Sequence, residues 1–376
     1  MSQPHSLSDE DPALKGLRVV DLGALLPGPV CGLHLAWLGA DVIKIEPLAG
    51  EPGRHLYDGA FFDTYNRGKR SVALDLKSES GAAAAYELCR TADVVIENFR
   101  PGVADRLGLG SDRLTAANPG LIYCSISGYG RGSRATAPAH DLNFLAKSGA
   151  LGQATTWSAQ GRQPTRPAMP IGDFGGAAMA VQAILAALYK RTRTGRGARI
   201  DIVMSEVLLH WMAWRTLAAD RAEDDAWTRY LEPANDMYEV ADGRFIVIGA
   251  IESHLWRAFA TIAAEEGADL GFDPQMAEWD WRERRVQAPA LAERLRALFK
   301  RHPLDWWTTR LQAAGVPADP VATPSEAFAD PWLQEQGLVQ QDGWVRPPLP
   351  GVSSLTPAPV LDADGETVRN GSFWRA

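Results

Sequence analysis

Short apolar runs alternate with turns rich in glycine and proline along the first half of the chain. Residues 17–47 have the pattern of an apolar strand, a Gly/Pro turn, a helix rich in leucine and alanine, and a second apolar strand. The same order recurs in residues 71–99, and a third strand follows in residues 121–130. Because parallel strands need a crossover connection, these repeats predict a doubly wound, Rossmann-like α/β domain with a parallel sheet.

The pattern changes after about residue 220. A polar segment precedes a hairpin whose turn is Ala241-Asp242-Gly243, amphipathic charged helices then run to about residue 316, and the remainder is proline-rich. We therefore expect four parts: a flexible tail (1–16), a large domain with a linker helix (17–220), a smaller α/β domain joined by long linkers (221–316), and a C-terminal segment that returns to the large domain (317–376).

The composition is that of an ordinary globular protein, with 46% hydrophobic and 22% charged residues in 376. A net charge of −8 argues against a nucleic-acid surface, which needs clustered lysine and arginine. The three cysteines lack CxxC spacing, so we expect reduced core residues and neither a metal site nor a disulfide framework. The acidic N-terminus and the lack of a membrane-length apolar run predict a cytoplasmic protein outside the membrane.

Polar residues and glycines gather where the predicted strands end. Lys44, Asn98 and Arg100 lie at such ends, and the loop 128–130 (Gly-Tyr-Gly) follows the third strand. Ligands of doubly wound sheets bind beyond the carboxyl ends of the strands, so the clustered cations favour an anionic ligand over a plain solvated surface. The glycines of the first turn lack the G-x-G-x-x-G spacing, and NAD binding is therefore weakly supported.

Three ionisable residues stand at predicted helix starts. His140 and Asp141 open an apolar segment, and Asp173 precedes two glycines and a long helix rich in alanine and leucine. A carboxylate that caps free N–H groups, beside a partly solvated histidine, explains these positions as well as a reactive site does. The residues themselves leave both interpretations open.

Seven stretches in a fixed order resemble the class III CoA-transferase superfamily, of the CaiB/BaiF type, over nearly the whole chain. They are LKGLRVVDLGALLPGPVCGLHLAWLGADVIKIEP, GKRSVALDLKS, ADVVIENFRPGVADRLGLG, NPGLIYCSISGYG, AHDLNFLAKSGAL, GDFGGAAM with AALYKRTRTGRGARIDIVMSE, and ADGRFIVIGAIE. The chain looks most like the α-methylacyl-CoA racemase branch. That branch carries a histidine at the position of His140 and the GAIE block that ends in Glu252.

The resemblance implies an enzyme that inverts the α-carbon of a 2-methylacyl-CoA thioester by two-base proton transfer through an enolate. His140 and Asp173 are the implied acid/base pair, Glu252 orients or charges the imidazole, and Asp141 supports Asp173. We expect the N–H groups of residues 173–175, free at the helix start, to stabilise the enolate oxygen.

The resemblance also places the coenzyme A portion of the substrate on the large domain. The corresponding positions are Lys44, Leu74, Leu76, Asn98 and Arg100, with Leu25 and Tyr129 as further contacts. The leucines are expected to contact adenine and the cations to bind phosphate. Arg67, Lys69 and Arg70 are further candidates that a solvated basic loop explains equally well. No metal and no separate cofactor is implied.

Family members form interlocked homodimers, which implies that Glu252 completes the site of the other subunit. The chain departs from the racemases at LEPANDMYEV (231–240), at RGSRATAP (131–138) and at Phe144, where tyrosine is common. These departures lie near the expected acyl pocket and leave the acyl group open.

Three alternatives to racemisation remain. The first is CoA transfer to a free carboxylic acid through an anhydride on Asp173. The second is an acyl-CoA-binding protein without turnover. The third is a related enolate reaction, such as an epimerisation coupled to side-chain degradation.

Overall fold

The structure is a computed structural model that describes residues 12–153, 155–158, 161–220, 232–271, 288–339, 343–345, 355–362 and 374. The chain divides into two compact units. The first comprises Met1–Trp214 and Leu338–Ala376, and the second Arg215–Gly337. Each unit has its own hydrophobic core.

The first unit is built on a six-stranded parallel sheet, as the sequence predicts. Its strands are β1 (Arg18–Asp21), β2 (Asp41–Glu46), β3 (Arg70–Ala73), β4 (Val94–Glu97), β5 (Ile122–Ser127) and β8 (Ala198–Val203), while β6 (Thr155–Ser158) and β7 (Gly161–Pro164) form a separate hairpin. The strand order is β3-β2-β1-β4-β5-β8. Because this order reverses between β1 and β4, the carboxyl ends of these two strands border the crevice in which ligands of doubly wound sheets bind.

Helices cover both faces of this sheet. They are α1 (Pro27–Trp37), α2 (Ala60–Asn66), α3 (Glu79–Thr91), α4 (Val103–Arg106), α5 (Ser111–Ala117), α6 (Asp141–Lys147), α7 (Ala150–Gln153), α8 (Ile171–Thr194) and α9 (Met204–Asp220). Successive strand residues point to opposite faces. Val19 therefore packs in one core cluster with Val30 and Ile184, and Val20 packs in another with Leu88.

The helix α8 is the one described helix that is long and apolar enough to cross a membrane, by length and composition alone. The expectation that no apolar segment reaches this length is therefore wrong for α8. The helix packs against α1, β5 and β8 and buries Gly176, Ala177 and Ala180. A helix in the core of a globular domain meets the same criterion.

The second unit contains a three-stranded antiparallel sheet and several helices. Its elements are β9 (Met237–Glu239), β10 (Phe245–Ile248), α10 (Ser253–Glu265), α11 (Ala288–Phe299), α12 (Leu304–Ala313), β11 (Ala318–Pro320), α13 (Pro324–Ala329) and α14 (Pro331–Glu335). The predicted turn at 241–243 joins β9 to β10. The predicted boundary at residue 316 lies before the one in the structure, because β11 pairs with β10 and keeps the following residues in this unit.

The N-terminal end of the first unit differs from the prediction, whereas the described part of the C-terminal segment returns to this unit, as expected. Residues 1–11 of the predicted tail lie outside the described residues, but the Leu14 N–H donates to the Leu38 carbonyl, so the segment from residue 12 is packed. Near the C-terminus, the Thr356 carbonyl accepts from Gly68 N–H and the Asp362 carbonyl accepts from Ala73 N–H. Residues 221–231 of the predicted linker lie outside the described part of the chain.

Candidate active site

A cavity of about 300 Å³ opens at the carboxyl edge of the parallel sheet. The segments that follow β1, β4 and β5 form part of its wall, and the N-terminal ends of α6, α8 and α9 form another part. The sequence-predicted residues that line it are Leu25, Asn98, Arg100, Tyr129, His140 and Asp173. Residues far apart in the sequence therefore meet beside the reversal point of the sheet.

Asp173 is the third residue of α8 and lies largely out of solvent. Burial raises the pKa of this carboxyl from 3.8 to about 7, and the negative charge of Asp141 adds to the rise. At neutral pH the group therefore exists as a mixture of acid and carboxylate. That mixture suits a side chain that has to take up and return a proton.

Asp141 lies beside the start of α8, and its Oδ1 accepts the N–H of Gly172 at 2.6 Å and that of Asp173 at 3.1 Å. The residue that precedes α8 is Pro170, whose side chain has no acceptor. Asp141 therefore caps α8 from another part of the sequence, although it is itself the first residue of α6. This contact places a negative charge next to Asp173.

The helix start does not supply the free donors that the sequence analysis expected for the enolate oxygen. The Asp173 N–H is bound to Asp141, and the Phe174 N–H donates to the Pro170 carbonyl at 3.1 Å. Gly175 lies a full turn into α8, where N–H groups join the helical ladder. That prediction is wrong for two reasons: α8 begins two residues before Asp173, and its first N–H groups are capped by a residue from another part of the sequence.

His140 precedes α6, and its exposed side chain lines the cavity. Its backbone N–H donates to Asn143 Oδ1 at 2.9 Å. Phe144 is buried in the core and anchors α6, with its ring 5.4 Å from the Tyr129 ring in an edge-to-face contact. Gly128 leaves room for Phe144, since a Cβ there would lie 2.3 Å from that ring. The apolar end of α6 thereby fixes the backbone that carries His140.

Lys44 does not fit the predicted contact with phosphate. Its side chain is fully buried, its Nζ donates to the Gly23 carbonyl at 2.7 Å, and it lies 3.9 Å from Asp21 Oδ2. The strand register pairs Asp21 with Lys44, which explains why the two charges meet. We correct the prediction accordingly, and assign Lys44 to the support of the β1–α1 loop.

Three further predicted basic residues, Arg67, Lys69 and Arg70, are also engaged within the protein. Lys69 is buried and bonds to Asp21 at 2.8 Å, Arg70 bonds to Asp41 at 2.6 Å, and the Arg67 guanidinium lies over the Trp344 ring. Burial lowers the pKa of Lys69 to about 8 against the opposing effect of Asp21. A solvated basic loop is therefore the wrong description of Lys69.

Arg100 remains the predicted cation that is exposed and lines the cavity. Asn98 also lines the cavity, but its side-chain amide forms two hydrogen bonds with the backbone of Ala24. Its Oδ1 accepts the Ala24 N–H at 2.8 Å, and its Nδ2 donates to the Ala24 carbonyl at 3.0 Å. Leu74 is buried in a core cluster, and Leu76 packs against the same cluster from a partly exposed position. Their predicted contact with adenine stays a prediction.

Glu252 belongs to the second unit, where it is exposed and immediately precedes α10. Its predicted action on His140 stays a prediction. The described residues contain no group of three or more histidine, cysteine, aspartate and glutamate side chains that could hold a metal ion. Cys31, Cys89 and Cys124 are free and buried, as predicted.

A larger cavity of about 660 Å³ shares Arg100, Pro101 and Ser127 with the first but lacks His140 and Asp173. Several of its charges neutralise one another, as in the pairs of Arg199 with Asp112 and of Arg131 with Asp201. The chemistry expected of this chain needs proton-transferring groups that face one ligand. The smaller cavity is therefore the candidate active site.

Sequence reasoning missed Glu51, whose Oε2 accepts the Leu25 N–H at 2.8 Å. Glu51 is buried, and Leu25 lines the cavity with a left-handed backbone (φ 63°). The stretch GEPGR around Glu51 indicates only a turn. Nothing in its local pattern shows that it reaches the loop after β1.

Comparison with known proteins identifies one family, whose members similar to this chain include both racemases and CoA-transferases. The model of CoA-transferase family III matches residues 14–354. The α-methylacyl-CoA racemase of Homo sapiens is 38% identical over 372 residues, 95% of this chain and 92% of that protein. The acetyl-CoA:oxalate CoA-transferase of Acetobacter aceti is 33% identical over 94% of each chain. The crystal structure of a CAIB/BAIF family protein from Brucella suis is similar with a TM-score of 0.80, 30% identity, and coverage of 96% of this chain and 99% of that one.

Proposed function

The chain belongs to CoA-transferase family III, and within this family of enzymes we propose that it inverts the α-carbon of a 2-methylacyl-CoA thioester. The observation that carries the proposal is the presence of His140 and Asp173 in one cavity. A racemase needs two groups that exchange protons with opposite faces of the same carbon. CoA transfer through an aspartyl anhydride does not require the histidine.

The reaction proceeds in two proton transfers. One group, in its basic form, removes the α-proton, and the electron pair of the broken C–H bond moves to the thioester oxygen to give an enolate. The other group, in its acid form, delivers a proton to the opposite face, and a new C–H bond forms. The thioester bond stays intact, and the two groups exchange protonation states.

Two features of the cavity support this cycle. The pKa of Asp173 is near 7, so both of its protonation states are accessible at neutral pH. The imidazole of a histidine can accept and donate a proton, which suits His140 to the role of the second acid/base group. The cavity wall also contains Leu25, Ile126, Phe144 and Met204, an apolar lining that suits a branched acyl thioester.

The coenzyme A portion is proposed to bind along the same edge of the sheet. Arg100 is exposed there and presents a guanidinium suited to phosphate. Tyr129 and Leu25 offer apolar contact to the pantetheine arm. By its resemblance, Glu252 is proposed to orient the imidazole of His140 within an interlocked homodimer.

CoA transfer to a free carboxylic acid is the second candidate, and it is favoured by the similarity to the Acetobacter aceti transferase. In that reaction the carboxylate of Asp173 attacks the thioester carbonyl, CoA leaves as a thiolate, and a mixed anhydride forms. The raised pKa of Asp173 does not separate the two reactions, because both nucleophilic attack and proton removal require the ionised carboxylate. His140 in the same cavity favours racemisation, since CoA transfer does not require it.

The experiment that separates the two candidates uses one enantiomer of a 2-methylacyl-CoA in deuterated water without any free acid. We expect deuterium at the α-carbon and loss of optical purity, followed by NMR and mass spectrometry. A second reaction adds succinate or oxalate as acceptor. CoA transfer to the added acid, without exchange in its absence, would replace the racemase proposal by the transferase.

A further inference from the structure

The loop between β1 and α1 is held by side chains from other parts of the first unit. Gly23 N–H donates to Asp21 Oδ1 at 2.8 Å, and the Gly23 carbonyl accepts from Lys44. The N–H and carbonyl of Ala24 both bond to the Asn98 amide. In a flexible loop the N–H and carbonyl groups of Gly23 and Ala24 would bond to water, whereas here side chains of the protein bind all four.

The last residue of this series, Leu25, has a backbone conformation that a leucine rarely adopts. Its φ of 63° lies in the left-handed region, where Cβ crowds the following carbonyl. The other non-glycine residues with positive φ among those described, Tyr57 and Asp58, are exposed and do not line the cavity. Leu25 lines the cavity that contains Asp173. Strain of this kind persists only where the surroundings hold it.

Glu51 supplies that restraint. Its Oε2 accepts the Leu25 N–H at 2.8 Å, and the residue is 1% exposed. Glu51 is itself fixed, because its N–H donates to Glu46 Oε2 and two atoms of Arg54 hold the Glu46 carboxylate at 2.7 Å. The backbone that carries the Glu51 side chain is therefore held in place, and burial restricts how far its carboxylate can follow the loop if the loop relaxes.

We propose that Glu51 is a positioning residue that keeps Leu25 in its left-handed conformation and so preserves the cavity wall against which an acyl-CoA thioester binds. The inference rests on the proposed function only in that this cavity takes an acyl-CoA. A wall that is already formed spares the ligand the cost of ordering a loop. Glu51 touches neither the ligand nor the reacting carbon in this account, and its effect passes through Leu25.

The test combines Glu51→Ala, Leu25→Gly and the double variant, with isobutyryl-CoA as the probe for calorimetric binding. We expect Glu51→Ala to weaken binding about tenfold, in keeping with the cost of a left-handed leucine. Glycine takes this conformation without strain, so in the Leu25→Gly background the same change has almost no effect. Hydrogen exchange at the Leu25 amide should rise in Glu51→Ala.

Asp93→Ala is the matched control, because Asp93 accepts the Arg18 N–H at 3.0 Å at the other end of β1. This variant removes a carboxylate-to-backbone bond of the same kind, together with the ion pairs of Asp93 with Arg18 and Arg191, and should leave binding unchanged. Equal weakening by Glu51→Ala in both backgrounds, or no weakening at all, would overturn the proposal. Wild-type protein that binds no acyl-CoA would contradict the proposed function, and with it this role of Glu51.

Discussion

The Asp141 carboxylate accepts the backbone N–H of Asp173 at 3.1 Å, and its charge contributes to raising the pKa of the Asp173 carboxyl to about 7. One contact thus both caps α8 and tunes the group that we propose as an acid/base residue. The charge state of Asp173 therefore depends on the carboxylate of Asp141 beside it.

Asp141→Asn should move the pH dependence of the enzyme. The amide oxygen can still accept the two N–H groups of α8, but the negative charge is lost, so the pKa of Asp173 falls. Exchange of the enantiomer that Asp173 deprotonates requires its carboxylate and rises with pH through about 7 in the wild type. In the variant this rise occurs at lower pH, as measured by deuterium incorporation over pH 5–9. An unchanged profile would show that the charge of Asp141 does not reach Asp173.

Asp173→Asn should stabilise the fold at alkaline pH. The folded pKa of about 7 lies above the ordinary value of 3.8, so the wild type loses stability as pH rises from about 4 to about 7 and then stays level. The variant lacks this loss. The difference in the free energy of unfolding between the variant and the wild type should therefore change in favour of the variant by roughly 2–3 kcal/mol between pH 5 and pH 8.5, measured by urea unfolding. An advantage that is the same at both pH values would contradict the burial of this carboxyl.

Lys44→Met and Arg100→Gln should affect different properties: the first should lower the stability of the fold, and the second should weaken acyl-CoA binding. Removing Lys44 leaves the Gly23 carbonyl without its donor, whereas the buried Asp21 keeps Lys69, so the free energy of unfolding should fall by about 1–3 kcal/mol. Thermal unfolding measures this loss.

Arg100→Gln should leave the unfolding temperature unchanged, since Arg100 is exposed. It should weaken acyl-CoA binding about tenfold and reduce the dependence of binding on salt. Calorimetry at two ionic strengths measures both effects. A stable Lys44→Met with weakened binding would return Lys44 to the role that its sequence position suggests.

The sequence predicts the sheet because its signals are local. Apolar runs of strand length, glycine turns and crossover helices each lie within about thirty residues, and their order determines a parallel doubly wound fold. The start of α8 near Asp173 is predicted in the same way, from the glycines and the alanine-rich run that follow.

The details of the site depend on contacts between distant residues, which the local pattern does not contain. Asp141 caps a helix that begins thirty residues later, so the N–H of Asp173, which was expected to be free, is occupied. In the sequence, Lys44 resembles a cation at the end of a strand that could bind a ligand. Only the register of β2 with β1 shows that Lys44 lies beside Asp21. The contact between Glu51 and Leu25 likewise joins distant parts of the sequence, so the local pattern does not predict it.

The central claim is that two bases act on opposite faces of one carbon, and single-base variants test it most directly. His140→Gln and Asp173→Asn are each incubated in deuterated water with the two enantiomers of a 2-methylacyl-CoA separately, and α-proton exchange is followed by mass spectrometry. We expect racemisation to fall at least about a hundredfold in both variants. Each variant should retain exchange of a single enantiomer, and the retained enantiomer should differ between the two. Retention of the same enantiomer by both variants, or racemisation at the wild-type rate in either, would contradict the two-base account.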